Sequence, residues 1–164
     1  MIAAAIVAAA AVLNAPAPQP RPCVGEIAHV RDADTLEIAC DHGPPVVLRL
    51  RDVDAPESGH RARCAAEAAQ AAQATSLVRR AFGPAGDIDG LIVRITPAYL
   101  DRYGRTVGDA IILEDVWRGW SLTAAIAGAG RSNGIETLQP WPHDTRGRAL
   151  TPKPDWCTGE THAQ

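Results

Sequence analysis

The sequence predicts an α+β fold, in the order three strands, a helix, two strands and a second helix. Three observations predict it. Apolar and polar residues alternate in short runs between Gly25 and Arg51. Residues 64–82 are rich in alanine, the best helix former. Two runs dense in β-branched residues follow, at 91–96 and 106–113.

Each element has its own signal. Pro16 to Pro22 carries four prolines, which makes residues 18–24 an extended linker. Gly25–Arg31 alternates as a strand. Asp34–Cys40 follows, with Leu36 and Ile38 on one face. Asp41-His42-Gly43-Pro44 is a turn by composition. Pro45–Arg51 is the third strand, with Val46, Leu48 and Leu50 pointing one way and Val47, Arg49 and Arg51 the other. These three make an antiparallel meander with acidic residues near the strand ends. The helix over 64–82 has a polar stripe at Glu67, Gln70 and Gln73, an apolar end at Leu77, Val78, Ala81 and Phe82, and a stop at Gly83-Pro84. The second helix spans Ser121–Ala127, with Ser121 as its cap and Gly128 to Gly130 as its end. A domain over 25–135 results. Residues 136–164 read as a loop-like tail that wraps it and is pinned by Cys157.

At 164 residues the chain suffices for one core. Its formal charge is -3 and its pI about 5.9, which argues against a strong non-specific grip on nucleic acid. Lys153 is the only lysine. The remaining positive side chains are arginines, which suit bidentate phosphate contacts. Met1–Leu13 is almost wholly apolar, with small residues at Ala15 and Ala17. Residues 1–17 therefore read as a signal peptide, although no basic residue precedes the apolar run. That run is too short to span a bilayer. The expectation is a secreted or periplasmic monomer without stable membrane association after signal cleavage; a disordered alanine-rich tail and an uncleaved anchor are the alternatives. Cys23, Cys40, Cys64 and Cys157 form an even set, as export favours. Three pairings are open. Joining Cys23 to Cys157 would tie both ends down and leave Cys40 with Cys64. No C-x-x-C occurs, which disfavours zinc.

Three short segments carry chemistry: Asp32-Ala33-Asp34-Thr35, Arg49-Leu50-Arg51-Asp52-Val53-Asp54-Ala55-Pro56-Glu57 and Asp101-Arg102-Tyr103-Gly104-Arg105. Together they offer carboxylates for a hard cation, arginines for a phosphate and a glutamate to activate water, the parts of a metal-assisted phosphodiesterase. In this order they resemble the thermonuclease-like family, that of staphylococcal nuclease, over about Gly25 to Arg131. The resemblance implies a five-stranded β-barrel of the oligonucleotide-binding type with two or three helices. It implies Ca²⁺ held by Asp34, Asp54 and the backbone carbonyl of Ala55, where staphylococcal nuclease has threonine. It implies Glu57 as the base toward water, Arg49 and Arg105 as clamps on the phosphate, and Arg102 and Tyr103 as contacts to the nucleotide. Cleavage of DNA or RNA would leave a 3′-phosphate and a 5′-hydroxyl. Asp32, two residues before Asp34 on the same strand face, would support the cation site.

Taken singly, these residues have plainer readings. Asp32 and Asp34 suit an acidic strand end in solvent, Glu57 a surface acid beside a helix, and Arg105 an ion pair with Asp101 across its turn. Arg51 reads as a surface charge. The five histidines lack metal spacing. Trp117 and Trp120 suit core packing, and Trp141 and Trp156 cover for a small barrel, better than base stacking. Two rivals to the nuclease remain: a binding module on the same barrel that has lost turnover, and a disulfide-stapled structural protein. Against the first stands the full set Asp34, Arg49, Asp54, Glu57 and Arg105.

Overall fold

The computed structural model describes residues 19–81, 87–114, 116–144 and 146–157. The expected signal segment, Phe82 and the Gly83-Pro84 stop lie outside the described residues. Seven strands and two α-helices occur among them: β1 (Cys23–Asp32), β2 (Thr35–Cys40), β3 (Val46–Leu50), β4 (Val53–Asp54), α1 (Ala65–Ala81), β5 (Ile92–Leu100), β6 (Thr106–Ile112), α2 (Leu122–Ser132) and β7 (Gln139–Pro140), with a 3-10 turn at Gly59–Arg61. The fold is α+β, as expected.

Five strands close into a barrel in the order β1-β2-β3-β6-β5. The expected meander is present: β1 pairs antiparallel with β2, and β2 with β3. Closure comes from β3 and β6, which run parallel, and from β5 lying antiparallel to both β1 and β6. Inward-facing Ile27, Val30, Leu36, Ile38, Leu48, Leu50, Val93, Ile95 and Ile112 fill the interior and are almost fully buried. Each such side chain contributes roughly 1.5–3 kcal/mol by leaving water.

Several boundaries differ from the sequence reading. The first strand starts at Cys23, inside the expected linker, because Cys23 to Glu26 pair with β5. A register shift between Ile27 and His29 resets its alternation, so that Val30 and Asp32, rather than His29 and Arg31, turn inward. Asp34 lies in the turn that joins β1 to β2, not on the strand face of Asp32. The polar stripe of α1 is also not what it looked like. Glu67 is fully buried and shares the inward face with Ala71, Ala74 and Val78.

The second helix runs through its glycines to Ser132. Gly130 is there because the chain returns against it: an added Cβ would sit 2.5 Å from Thr137 Oγ1 and 2.6 Å from the Ile135 carbonyl oxygen. Ser121 caps α2 as expected, accepting the Ala124 N–H while its hydroxyl donates to Asp109. Trp117 packs partly buried on the core, but Trp120 is exposed and meets it edge to face at 5.3 Å.

The disulfides are Cys23–Cys40 and Cys64–Cys157. The first staples β1 to the end of β2. The second ties the tail to the start of α1 across 93 positions. Two bridges fit an oxidising environment. No helix among the described residues is long and apolar enough to cross a membrane. Described parts of the tail are joined to the rest of the chain. Its β7 pairs with β4, the Trp141 N–H reaches the Asp52 carbonyl at 2.9 Å, and Trp156 is buried.

Candidate active site

Asp34, Arg49, Asp54, Ala55, Glu57, Arg102, Tyr103 and Arg105 all line one open cleft of about 960 Å³. The three segments that the sequence singled out therefore meet at one place. Local geometry explains how. The β1–β2 turn presents Asp34, and the Leu50 N–H bonds its backbone carbonyl at 2.8 Å, which ties the turn to the end of β3. Beyond β3 the chain turns at Asp52, whose φ of 60° an aspartate tolerates. That turn swings β4 and Asp54 back toward Asp34. The Ala55 N–H then donates to Asp34 Oδ2 at 2.8 Å, and Thr35 Oγ1 donates to Asp34 Oδ1 at 2.9 Å.

Arg49 bridges the two acids. Its Nη2 lies 3.0 Å from Asp34 Oδ2 and 3.4 Å from Asp54 Oδ1. Both carboxylates are buried. The Asp34 carboxyl is raised to about 6: burial raises it most, the Arg49 guanidinium lowers it, and the Asp32 carboxylate raises it. Burial likewise raises Asp54, against the hydrogen bond from Trp156 and the charge of Lys153. Asp32 pairs with Arg61 Nη2 at 3.0 Å through one oxygen, while its buried Oδ1 has no hydrogen-bond partner. This corner thus gathers three buried carboxylates, one oxygen of which lacks a donor. Such a donor set suits a hard dication, and Asp34, Asp54 and the Ala55 carbonyl are the groups that would hold one.

Glu57 follows Pro56 and is partly exposed. It pairs with Arg61 at 3.3 Å and with Lys153 at 3.0 Å. Its backbone is fixed from below by Glu67, which accepts the N–H groups of Glu57 and Arg63. Burial alone would raise the Glu67 carboxyl; these bonds and the Arg63 guanidinium outweigh it and hold the pKa below the ordinary range.

Arg105 makes the ion pair with Asp101 across its turn, at 2.7 Å, and also lines the cleft. Asp101 also accepts the Tyr103 and Arg105 N–H groups, and Gly104, at φ 79°, closes the turn. Tyr103 is 69% exposed, with Arg102 and Arg105 against its ring at 4.8 and 5.6 Å. The turn therefore presents two guanidinium groups and an aromatic face. Arg51 pairs with Asp52 and is not among the residues that line the cleft.

Among the described residues one cluster brings three metal-ligand atoms within 4.8 Å of one another: Cys64, Glu67 and Cys157. Its sulfurs are joined to each other, so it offers no thiolate while the bridge is closed.

Sequence reasoning missed three residues. Trp156 Nε1 donates to Asp54 Oδ2 at 2.9 Å, Lys153 reaches both Asp54 and Glu57, and Glu67 anchors the Glu57 loop. The one available signal was that Lys153 is the sole lysine. No protein-family model matches the chain, and no curated protein matches it.

Proposed function

We propose that this protein is an exported, calcium-dependent nuclease of the thermonuclease type, acting on DNA, RNA or both from a barrel of the oligonucleotide-binding kind. The observation that carries the reading is the convergence of Asp34, Arg49, Asp54, Glu57 and Arg105 on one cleft. Calcium, when bound by Asp34, Asp54 and the Ala55 carbonyl, would supply charge neutralisation at a non-bridging phosphate oxygen. Glu57 takes a proton from the attacking water as its oxygen bonds to phosphorus. Arg49 and Arg105 donate to the oxygens that gain charge. The P–O5′ bond breaks, and the 5′ oxygen takes a proton from solvent water as it leaves, while Glu57 returns its own proton to solvent. Arg102 and the Tyr103 ring hold the neighbouring nucleotide by charge and stacking.

A second reading is a binding module without turnover on the same barrel. The pairing of Arg49 and Lys153 with the site carboxylates favours it, because those acids are already partly neutralised.

The test is degradation of single-stranded DNA by folded protein, with calcium or with chelator, beside Glu57→Gln and Arg105→Ala. Calcium-dependent cleavage is expected. Each variant should retain its fold and lose roughly 10²–10³-fold in rate. Folded wild type that never cleaves would overturn the nuclease and favour the binding module.

A further inference from the structure

The tail brings an ammonium group to the place where the proposed cation would act. Lys153 Nζ lies 3.4 Å from Asp54 Oδ1 and 3.0 Å from Glu57 Oε1. Asp54 Oδ2 is committed to the Trp156 indole at 2.9 Å, which leaves Oδ1 as the oxygen a cation would use. That oxygen already faces Lys153 and Arg49 Nη2, each at 3.4 Å. A dication on Oδ1 would meet two positive side chains at contact distance. Arg49 is fixed on a barrel strand. Lys153 stands on the tail.

The tail in turn is held on three sides. The Cys64–Cys157 bridge closes it four positions beyond Lys153. Trp156 is buried at 2% exposure. Arg63 reaches the Pro154 carbonyl at 3.1 Å and Asp155 at 3.4 Å. Four residues span at most about 14 Å, so the ammonium cannot wander far from the bridge. A group on so short a tether has an effective concentration in roughly the millimolar range or above. Lysine suits this role better than arginine: its ammonium is a compact point charge rather than a planar fork.

We infer that Lys153 is a tethered cation that competes with the divalent metal at Asp54, kept in place by the Cys64–Cys157 bridge. The inference rests on the metal reading of Asp34 and Asp54. Its consequence is a weakened site that fills only where calcium is abundant, in the range typical of extracellular modules.

Calcium titration by calorimetry tests it on the full chain, with wild type, Lys153→Gln, Lys153→Ala, Asp34→Asn and the paired Cys64→Ser/Cys157→Ser variant. Circular dichroism checks the fold of each. Both Lys153 variants should bind calcium roughly tenfold more tightly than wild type, a coupling of ordinary size. Asp34→Asn should not bind. The cysteine variant should fall between wild type and Lys153→Gln. Equal or weaker binding by the Lys153 variants, with wild type binding through Asp34, overturns the inference and leaves the metal reading standing. No binding by wild type or by either Lys153 variant overturns both. Wild-type affinity in a folded cysteine variant overturns the role of the bridge. If that variant does not fold, reduction of wild type by a dithiol, which is oxidised to its cyclic disulfide as the two thiols form, replaces it under the same criterion.

Discussion

The Trp156 indole donates a hydrogen bond to Asp54 Oδ2 at 2.9 Å, linking residues 102 positions apart, and both side chains are buried. Trp156→Phe keeps most of the packing and removes the donor. The orphaned carboxylate oxygen should cost about 1–3 kcal/mol. The Asp54 carboxyl should also titrate higher, because the indole bond now lowers it. Urea denaturation measures the first effect; an unchanged midpoint would contradict it.

Asp34 makes stability depend on pH. Its carboxyl is raised from 3.8 to about 6. The unfolded chain ionises near the lower value and the folded chain near the higher. The stabilisation from protonated Asp34 is therefore fully present below 3.8 and lost as pH rises through 6. In chelator, Asp34→Asn should gain on wild type in melting temperature as pH rises from about 4 to about 8. On the proposed calcium reading, the ionised form is the one that binds, so affinity should weaken as pH falls below about 6. A pH-independent difference between the two proteins would rule this account out.

Glu67 is a positioning residue. It does not line the cleft, but its two oxygens hold the Glu57 and Arg63 N–H groups. Glu67→Ala leaves both donors without their acceptor and should cost about 2–3 kcal/mol. On the proposed nuclease reading, activity should fall mainly in kcat, with KM little changed, because the loop that carries Glu57 loosens while the arginines stay. A purely structural residue would lower stability and leave kcat per folded molecule as it was.

Gly128 and Gly130 share one helix and should respond in opposite directions. A Cβ at Gly128 meets nothing within 4 Å, and alanine there should stabilise by about 0.5–1 kcal/mol. At Gly130 it would strike Thr137 and the Ile135 carbonyl oxygen, and alanine should destabilise by about 1–3 kcal/mol. Thermal melts of the two single variants decide this.

What could be read from the sequence was local. Leu36, Ile38, Leu48 and Leu50 betrayed their strands by alternation, and Ser121 its helix by capping. Asp34, Asp54, Glu57 and Arg105 stood out because each lies in a short segment of recognisable chemistry. The misreadings came from distance. Glu67 looked like a solvent stripe because the backbone N–H groups it satisfies belong to the loop ahead of its helix. Gly130 looked like a stop because Thr137 is not adjacent in sequence. Lys153 and Trp156 sit among prolines in a tail without periodicity, and only the fold brings them to Asp54. The bulge that turns Asp32 inward has no marker in its residues.

The parallel seam that closes the barrel has a consequence for what the cleft can become. Thr106 pairs with Leu48 and Val107 with Arg49. The stems of Arg49 and Arg105 are therefore spaced by backbone register, and a slip of one residue would turn buried side chains outward along a whole strand. The two guanidinium groups behave as jaws of a gauge set by the scaffold. The barrel sets the distance between the two stems, while Asp34, Asp54 and Asp101 set where each guanidinium points, so a change of acid would re-aim a jaw without moving its base.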